Sequence, residues 1–370
     1  MLRYIAKRIL LMIPVLLGIS FLIFLLMYFT PGDPAQMILG DMAEKEEVEA
    51  LRQEMGLNDG FFTRYFRYMG DLLRGDLGTS YTTKLPVWDE IAARLPVTMK
   101  VAFFVILFAV VVGVPIGILS AVRQYSFIDS ITRVFALLGI TMPSFWLALL
   151  LVLLFSVKLE WLPASGLYGP LYYIMPILSI SAVSVATITR TARSSMLEVV
   201  RQDYIRTARA KGQKESVVMF KHALLNALIP ILTIVGIQFA SGLGGAVVNE
   251  QVFAIPGIGK LMVDAIKARN YPLVQGSVLV LAVLQSMVNL VIDLLYAFVD
   301  PRIRSQYNRN KKKKAKTNGG GQPPQSSLPN DNLPDDNLPN GNLPNGNLPN
   351  GNLPMGKLPM GNIPRESDPI

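Results

Sequence analysis

Hydrophobic residues dominate six stretches of the chain, and polar segments separate them. Each stretch is 19–25 residues long, which is enough for a helix to cross a hydrocarbon core of about 30 Å. Since every backbone amide in lipid must be bonded within its own segment, the pattern predicts six transmembrane helices in an all-α polytopic membrane protein. The predicted spans are 9–29, 97–121, 133–157, 172–190, 227–248 and 277–299.

Two connections between these spans are long enough to carry structure of their own. Residues 30–96 hold 7 Lys/Arg against 12 Asp/Glu and show helical patterning in "AEKEEVEALRQEMG", which predicts a partly helical loop outside the cell membrane. Residues 191–226 hold 7 Lys/Arg, whereas residues 158–171 hold 1. Because positive charge accumulates on the inner side, this asymmetry places the 191–226 loop and both termini in the cytoplasm.

The end of the chain has a different character. A basic run at Lys311–Lys314 is followed by Gly/Pro-rich sequence and by Leu-Pro pairs every five residues from 328 to 358. Regular proline and one small apolar residue per repeat predict a disordered tail over 305–370. The basic run is interpreted as a stop-transfer anchor or as a contact with anionic membrane lipid. The chain is therefore predicted to have four parts. They are the N-terminus with the first transmembrane helix (1–29), the outer loop (30–96), a core with the other five transmembrane helices (97–304), and this tail (305–370).

Composition narrows the class of protein. The chain is 51% hydrophobic and 16% charged, whereas a soluble domain carries about a quarter charged residues. The net charge of +9 is concentrated in the segments predicted to be cytoplasmic, which indicates membrane orientation rather than nucleic-acid binding. There is no cysteine and one histidine, His222, so thiolate sites are excluded and a histidine-rich metal site is disfavoured.

No catalytic, cofactor-binding or metal-binding residue is predicted. The segment closest to a phosphate loop is "AIPGIGKL", Ala254 to Leu261. A phosphate loop needs Gly five residues before its Gly-Lys pair and Ser or Thr after the Lys. Those positions are Ala254 and Leu261 here, and the segment is predicted to lie outside.

Polar residues within or beside the spans are few. Asp293 is interpreted first as the partner of a nearby cation, and the uncharged side chains as lining a path or joining helices. An ion-coupled carrier or channel working alone needs more intramembrane charge and is the less favoured alternative, as is a scaffold that does not transport. The uncharged residues are Gln238, Asn249, Gln285 and Asn289.

The cytoplasmic loop contains the stretch "DYIRTARAKG". Leu197, Val200, Tyr204 and Ala208 recur every three to four residues and predict one apolar helix face, with Arg201, Arg206 and Arg209 directed away from it. Gly212 suits a helix end, because glycine adopts the left-handed conformation without steric penalty. A topology signal needs only charge. The small-residue edge Ala208-x-x-x-Gly212 instead favours docking into a partner's groove.

At this point the residues resemble a known family. "DYIRTARAKGQKESVVMFKHALLNALIP", 203–230, resembles the cytoplasmic loop of permease subunits of bacterial ABC importers, in the dipeptide/oligopeptide/nickel branch. Further similar segments run in order over about residues 1–305 and include "TPGDPA", "LRGDLGTS", "ALLGITMPSFWLALLL", "VFAIPGIGKLMVDAIKARNYPLVQG" and "YAFVDPRIR". The Arg206-Thr207-Ala208 sequence stands where the wider family has Glu-Ala-Ala, and the Leu-Pro tail has no counterpart.

The resemblance implies a role and a set of partners. It implies a six-helix permease fold and import of short peptides by alternating access, with nickel or another small solute as the alternative cargo. It also implies a second homologous permease subunit in a heterodimer, two cytoplasmic ATP-binding subunits that hydrolyse ATP, and an extracytoplasmic substrate-binding protein. Carried over by position, the residues of the ATPase-coupling helix are Asp203, Tyr204, Arg206, Ala208, Arg209 and Gly212.

Overall fold

The computed structural model describes residues 2–40 and 42–299. These residues form α-helices without any strand; one isolated bridge pairs Thr79 with Pro86. Two short π-helical segments, Val152–Lys158 and Val218–Ala223, and one 3₁₀ turn, Pro170–Tyr173, lie between α-helices. The α-helices are α1 Leu2–Phe29, α2 Pro34–Leu39, α3 Lys45–Glu54, α4 Phe61–Leu73, α5 Val87–Val122, α6 Phe127–Thr141, α7 Ser144–Leu151, α8 Ile174–Val200, α9 Asp203–Ala210, α10 Glu215–Val217, α11 Leu224–Gly245, α12 Val247–Val252, α13 Ile258–Lys267 and α14 Tyr271–Val299.

Five of the six predicted spans are continuous helices long and apolar enough to cross a membrane. They are Ile5–Phe29, Val87–Val122, Pro170–Val200, Glu215–Gly244 and Tyr271–Leu294. The second begins ten residues before the prediction, at Val87. Asp89 and Glu90 in its first turn favour this polar extension, because carboxylates are stabilised at a helix N-terminus.

The third predicted span, 133–157, is not a straight helix. The chain bends by 103° between Phe127–Thr141 and Ser144–Lys158, so the prediction of one continuous third helix is wrong. The physical cause lies in the "TMPS" sequence, since a proline disfavours the helical conformation of the residue before it. Met142 is accordingly extended, with φ −79° and ψ 127°, and α7 begins directly after Pro143.

A close helix contact in the interior joins α5 to α8. A Cβ built on Gly117 would lie 2.6 Å from the carbonyl oxygen of Thr189, and one on Gly113 would lie 3.0 Å from that of Val185. The Thr189 hydroxyl also donates to the Gly113 carbonyl oxygen at 3.1 Å. Glycines spaced four apart thus let the two backbones approach closely, as small residues do in membrane bundles.

The predicted outer loop, 30–96, contains the helices α2, α3 and α4. The "TPGDPA" motif starts α2: Asp33 accepts a hydrogen bond from the Ala35 amide at 3.1 Å and pairs with Arg52 at 2.9 Å. Helix α4 packs aromatic rings on the last turns of α1, with Phe61 and Tyr65 at 5.4 and 5.3 Å from Phe24. The predicted tail, 305–370, lies outside the described residues.

Candidate functional site

The candidate docking helix, α9, is separate from the helix before it. The sequence pattern treats Leu197 to Ala208 as one apolar face, but α8 ends at Val200 and α9 begins at Asp203. Between them Gln202 is extended, with φ −73° and ψ 149°. The expectation of one continuous helix from Leu197 into α9 is therefore wrong. Of the predicted apolar face, Leu197, Val200 and Ala208 pack on one buried cluster, whereas Tyr204 is exposed.

Helix α9 is attached to its own chain through Ile205 and Ala208. Ile205 is fully buried and Ala208 is 8% exposed, and their spacing of three places both on one side of the helix. They pack into a cluster that we call the basal cluster. Its buried members are Ile118, Ala121, Ala192, Met196, Ile205, Ala208, Val218, Met219, Ala223, Ala227 and Ile231.

This packing corrects the predicted docking edge. Ala208 was expected to present a small surface to a partner, yet its side chain faces the basal cluster. Ile205, which sequence reasoning did not select, is the residue that anchors the helix. The spacing of three between Ile205 and Ala208 already indicates that these two residues share the buried side of the helix. The predicted face included Tyr204 instead, which is 44% exposed.

The other side of α9 is exposed and carries charge. The Asp203 and Arg206 side chains are 97% and 75% exposed and lie 3.6 Å apart. Partial burial raises the pKa of the Tyr204 phenol, and a hydrogen bond with Asn226 opposes that rise. Asp203, Tyr204 and Arg206 are therefore available for contact with another protein. Arg209 and Gly212, at the end of the helix, are exposed as well.

The end of α9 is fixed by Gly212 and Arg209. Gly212 has φ = 73°, and the amides of Gly212 and Gln213 donate to the carbonyl oxygens of Arg209 and Ala208 at 2.9 and 3.4 Å. This is the hydrogen-bond pattern of a glycine-terminated helix. Arg209 binds Glu215 with two hydrogen bonds, at 3.1 and 2.6 Å, and these bonds raise the Arg209 pKa.

Two of the predicted polar residues, Gln238 and Asn249, join helices. Gln238 donates from α11 to the Ser184 hydroxyl of α8 at 3.1 Å. Asn249, which is fully buried, donates from α12 to the Ser144 hydroxyl of α7 at 2.9 Å. Both contacts match the helix-joining interpretation, because polar groups in membrane interiors bind one another across helices.

The remaining three, Gln285, Asn289 and Asp293, form what we call the polar stripe of α14. Their spacing of four places them on one helix face. Gln285 and Asn289 are exposed, while Asp293 pairs with Arg8 of α1 at 2.9 Å. Asp293 thus has the cationic partner that the sequence interpretation favoured. The exposed amides above it lie in a helix that is apolar enough to span a membrane.

A buried carboxylate that the sequence did not reveal stands at the phosphate-loop look-alike. Glu250 is 1% exposed and accepts hydrogen bonds from the Thr98 hydroxyl at 3.0 Å and from the Lys260 amide at 2.9 Å. The N-terminus of α13, where an anion would bind, is therefore occupied by this chain's own side chain. Burial raises the pKa of Glu250, although these hydrogen bonds oppose the rise.

Among the described residues no group of three or more His, Cys, Asp or Glu side chains is placed to hold a metal ion. The features that the structure does present are an anchored helix with an exposed charged side, and a polar stripe on a spanning helix.

Comparison with protein families gives two matches in chain order. Residues 113–305 match the family described as "Binding-protein-dependent transport system inner membrane component". Residues 1–102 match the family of its N-terminal part, "Binding-prot-dependent transport system membrane comp, N-term".

Curated relatives cover the same region. The "Dipeptide transport system permease protein DppB" of Alkalihalophilus pseudofirmus is 42% identical over 332 residues, covering 82% of this chain and 100% of that protein. The "Glutathione transport system permease protein GsiC" of Pectobacterium atrosepticum is 42% identical over 304 residues, covering 82% and 99%. Among solved structures, an inward-facing MetNI methionine ABC transporter is 19% identical with a TM-score of 0.47, covering 57% of this chain and 96% of that one.

Proposed function

The chain belongs to the family of inner-membrane components of binding-protein-dependent transport systems, and we propose that it is the permease subunit of an ATP-binding cassette importer for short peptides. It is a multi-pass membrane protein of the cell membrane and a transporter subunit rather than an enzyme. ATP hydrolysis takes place in separate subunits.

The observation that carries the proposal is the way α9 is held. Ile205 and Ala208 fix the helix to the basal cluster, while Asp203, Tyr204 and Arg206 remain exposed. A helix that is rigidly attached on one side and free on the other can transmit the movement of a bound partner to the helices behind it. Since ATP-binding subunits are partners in this family, the exposed side of α9 is their proposed contact.

The short-peptide cargo is supported by the relatives' names. Proteins at 42% identity are named as permeases for dipeptides and for glutathione, which is itself a tripeptide. Both cargoes are small, polar and carry amide groups. Amide side chains along a transport path suit such molecules, because they donate and accept hydrogen bonds without adding charge. Gln285 and Asn289 of the polar stripe are the proposed path residues.

A second, homologous permease subunit is proposed to cover part of the exposed apolar surface. The outer loop 30–96 is proposed to face the extracytoplasmic substrate-binding protein. Both termini are proposed to lie in the cytoplasm, on the same side as α9. The concentration of Lys and Arg in 191–226 and the acidic balance of 30–96 support this orientation.

The mechanism proposed is alternating access. When the ATP-binding subunits close, α9 moves with them, and the basal cluster carries that movement to α5, α8 and α11. The transmembrane path then opens on the opposite side. For ATP to drive this change, the exposed side of α9 must bind the open and closed ATPase dimers with different affinity.

The test is uptake by the complete transporter in proteoliposomes. The expected result is ATP-dependent uptake of a labelled dipeptide that requires the binding protein. Arg206→Glu should uncouple ATP hydrolysis from uptake while leaving membrane insertion intact. Lys158→Glu has the same charge change on an exposed residue outside α9, and it should behave as wild type.

Three results would contradict parts of the proposal. Uptake driven by an ion gradient without ATP would contradict the importer assignment. Nickel uptake in place of peptide uptake would contradict only the cargo. Equal coupling ratios for Arg206→Glu and Lys158→Glu would contradict the role of α9.

A further inference from the structure

A buried ion pair lies next to the basal cluster and joins three helices. Asp129, at the start of α6, is fully buried and binds Arg193 of α8 through two hydrogen bonds, at 2.6 and 3.0 Å. The Ser120 hydroxyl of α5 donates to the same carboxylate at 2.6 Å. The Tyr125 amide, from the turn between α5 and α6, donates at 3.0 Å.

Both oxygens of the Asp129 carboxylate accept hydrogen bonds from this chain. Four hydrogen bonds, donated from the two helices α5 and α8 and from the turn before α6, converge on its two oxygens. An arginine fork binding a carboxylate through two hydrogen bonds fixes both distance and orientation. Such a contact differs from the apolar packing around it, because apolar contacts are non-directional and allow packed helices to slide by small amounts.

Helix α6 buries few of its own side chains, and Asp129 is one of them. Of the fifteen residues in α6, Asp129 and Thr132 are the buried ones. A further close approach occurs at Gly139, where a Cβ would lie 2.9 Å from the Ala186 Cβ. Several large apolar residues of the helix are exposed, for example Phe135, at 69%. Its attachment to the bundle therefore has one strong polar point, at Asp129.

Arg193, the cationic partner of Asp129, lies next to the cluster that holds α9. Arg193 follows Ala192 of the basal cluster, and α8 ends at Val200, three residues before α9 begins. Ser120 stands beside Ala121 of the same cluster. The carboxylate thus ties α6 to the helices whose packed ends hold Ile205 and Ala208.

We propose that Asp129 is a positioning residue that makes α6 move together with α8 and α9. This inference depends on the proposed function, since it assumes that α9 moves with an ATPase. A displacement of α9 then reaches α6 and, across the bend at Pro143, α7. Without the pair, α9 and α8 still move, but α6 lags behind and transport is uncoupled from ATP hydrolysis.

The test uses the complete transporter in proteoliposomes, with ATP hydrolysis and dipeptide uptake measured on the same sample. Asp129→Asn keeps the shape and removes the charge. Its expected result is near wild-type ATP hydrolysis with uptake per ATP reduced about tenfold, which is within the usual range of coupling between sites. Arg193→Lys keeps the charge but loses the fork, so a smaller reduction is expected. Arg133→Gln is the matched control, because Arg133 is 54% exposed and 3.9 Å from the same carboxylate.

Hydrogen exchange separates positioning from simple stability. In the ATP-bound complex, Asp129→Asn should raise amide exchange across 127–141 and leave 203–210 unchanged. Uniformly raised exchange, or a loss of uptake and hydrolysis in proportion to folded protein, would overturn the inference. If Asp129→Asn does not assemble, the same measurements on Arg193→Lys and Ser120→Ala decide, and wild-type coupling in both would overturn it.

Failure of this inference and failure of the proposed function give different results. If the wild-type complex shows no ATP-dependent dipeptide uptake, the proposed function fails. If the wild type transports and Asp129→Asn transports with the same uptake per ATP, only the positioning role of Asp129 is wrong.

Discussion

The Thr98 hydroxyl donates a hydrogen bond to the Glu250 carboxylate at 3.0 Å, and the Ile258 amide donates to the same hydroxyl at 2.9 Å. Residues 152 positions apart in the sequence are thereby joined where α5, α12 and α13 meet. The glycines at 257 and 259 make the contact possible: a Cβ at 259 would lie 2.9 Å from a Glu250 oxygen. The "FAIPGIGK" segment therefore binds this carboxylate through backbone hydrogen bonds and leaves room for it at its two glycines.

Removing the carboxylate should destabilise the protein. Glu250→Ala leaves the Lys260 amide and the Thr98 hydroxyl without their acceptor, which costs about 2–4 kcal/mol when buried donors are left unsatisfied. Thermal unfolding in detergent measures the loss. Asp264→Ala is a suitable control, because Asp264 is partly exposed. Equal unfolding temperatures for the two variants would contradict the importance of the buried contact.

The pH dependence of stability follows from the raised pKa of Glu250. Burial raises this pKa above its ordinary value of 4.5, so between the two values the folded state binds more protons than the unfolded state. The free energy of unfolding therefore falls as pH rises through that window and levels off above the folded pKa. The difference in stability between wild type and Glu250→Gln should show this fall. A difference that rises with pH would contradict it.

Gly117→Ala should separate α5 from α8. The added methyl group meets the Thr189 carbonyl oxygen and the Ala192 Cβ, at 2.6 and 2.7 Å before relaxation, and overpacking of this kind costs about 1–3 kcal/mol. Gly242→Ala is the matched control in a spanning helix, because no atom lies within 4 Å of the added Cβ. Unfolding temperature and folded yield report the result. Similar behaviour of both variants would show that the two helices can move apart freely.

Gly212→Ala tests the end of α9. Its φ of 73° penalises a side chain by about 1–2 kcal/mol, although no atom lies near the added Cβ. Gly75→Ala has the same backbone problem, with φ 82° and open space, but it lies in the outer loop. Both should lose similar stability, and only Gly212→Ala should lower uptake per ATP hydrolysed. Gly212→Pro should be more severe, since proline requires φ near −65°.

Substitution by Leu should have different effects at Asn289 and Gln238, although both side chains are amides. Asn289→Leu changes an exposed residue of the polar stripe and should reduce peptide uptake with little change in stability. Gln238→Leu removes the hydrogen bond to Ser184 and should lower stability by about 0.5–1.5 kcal/mol. Uptake kinetics and thermal unfolding, measured on both variants, separate the roles. The opposite pattern would place the path on α11 instead of α14.

Much of the fold follows from hydrophobic pattern alone. The existence and approximate positions of five spans are determined locally, because each helix satisfies its own backbone hydrogen bonds within an apolar run. The third predicted span, 133–157, is instead interrupted at Met142–Pro143. A proline inside an apolar run is compatible with a kink or a complete turn, and the angle of 103° depends on how α7 packs against α8 and α12.

The candidate site was predicted in outline and corrected in detail. The basic character of "DYIRTARAKG" and the stop at Gly212 are local properties. Which side of the helix is buried is not local. Ile205 and Ala208 became the inner side because the basal cluster offers them apolar partners from α5, α8 and α11, which only folding brings together.

The sequence by itself determined that this chain crosses the membrane several times, that one of its connecting loops is cationic, and that its family is that of binding-protein-dependent transporters. The tertiary structure decided which side of α9 is free and which buried carboxylates, Glu250 and Asp129, connect distant helices. The reason is physical. Burial and hydrogen bonding of a side chain depend on neighbours that only folding brings together, whereas helix length and charge are carried by each segment alone.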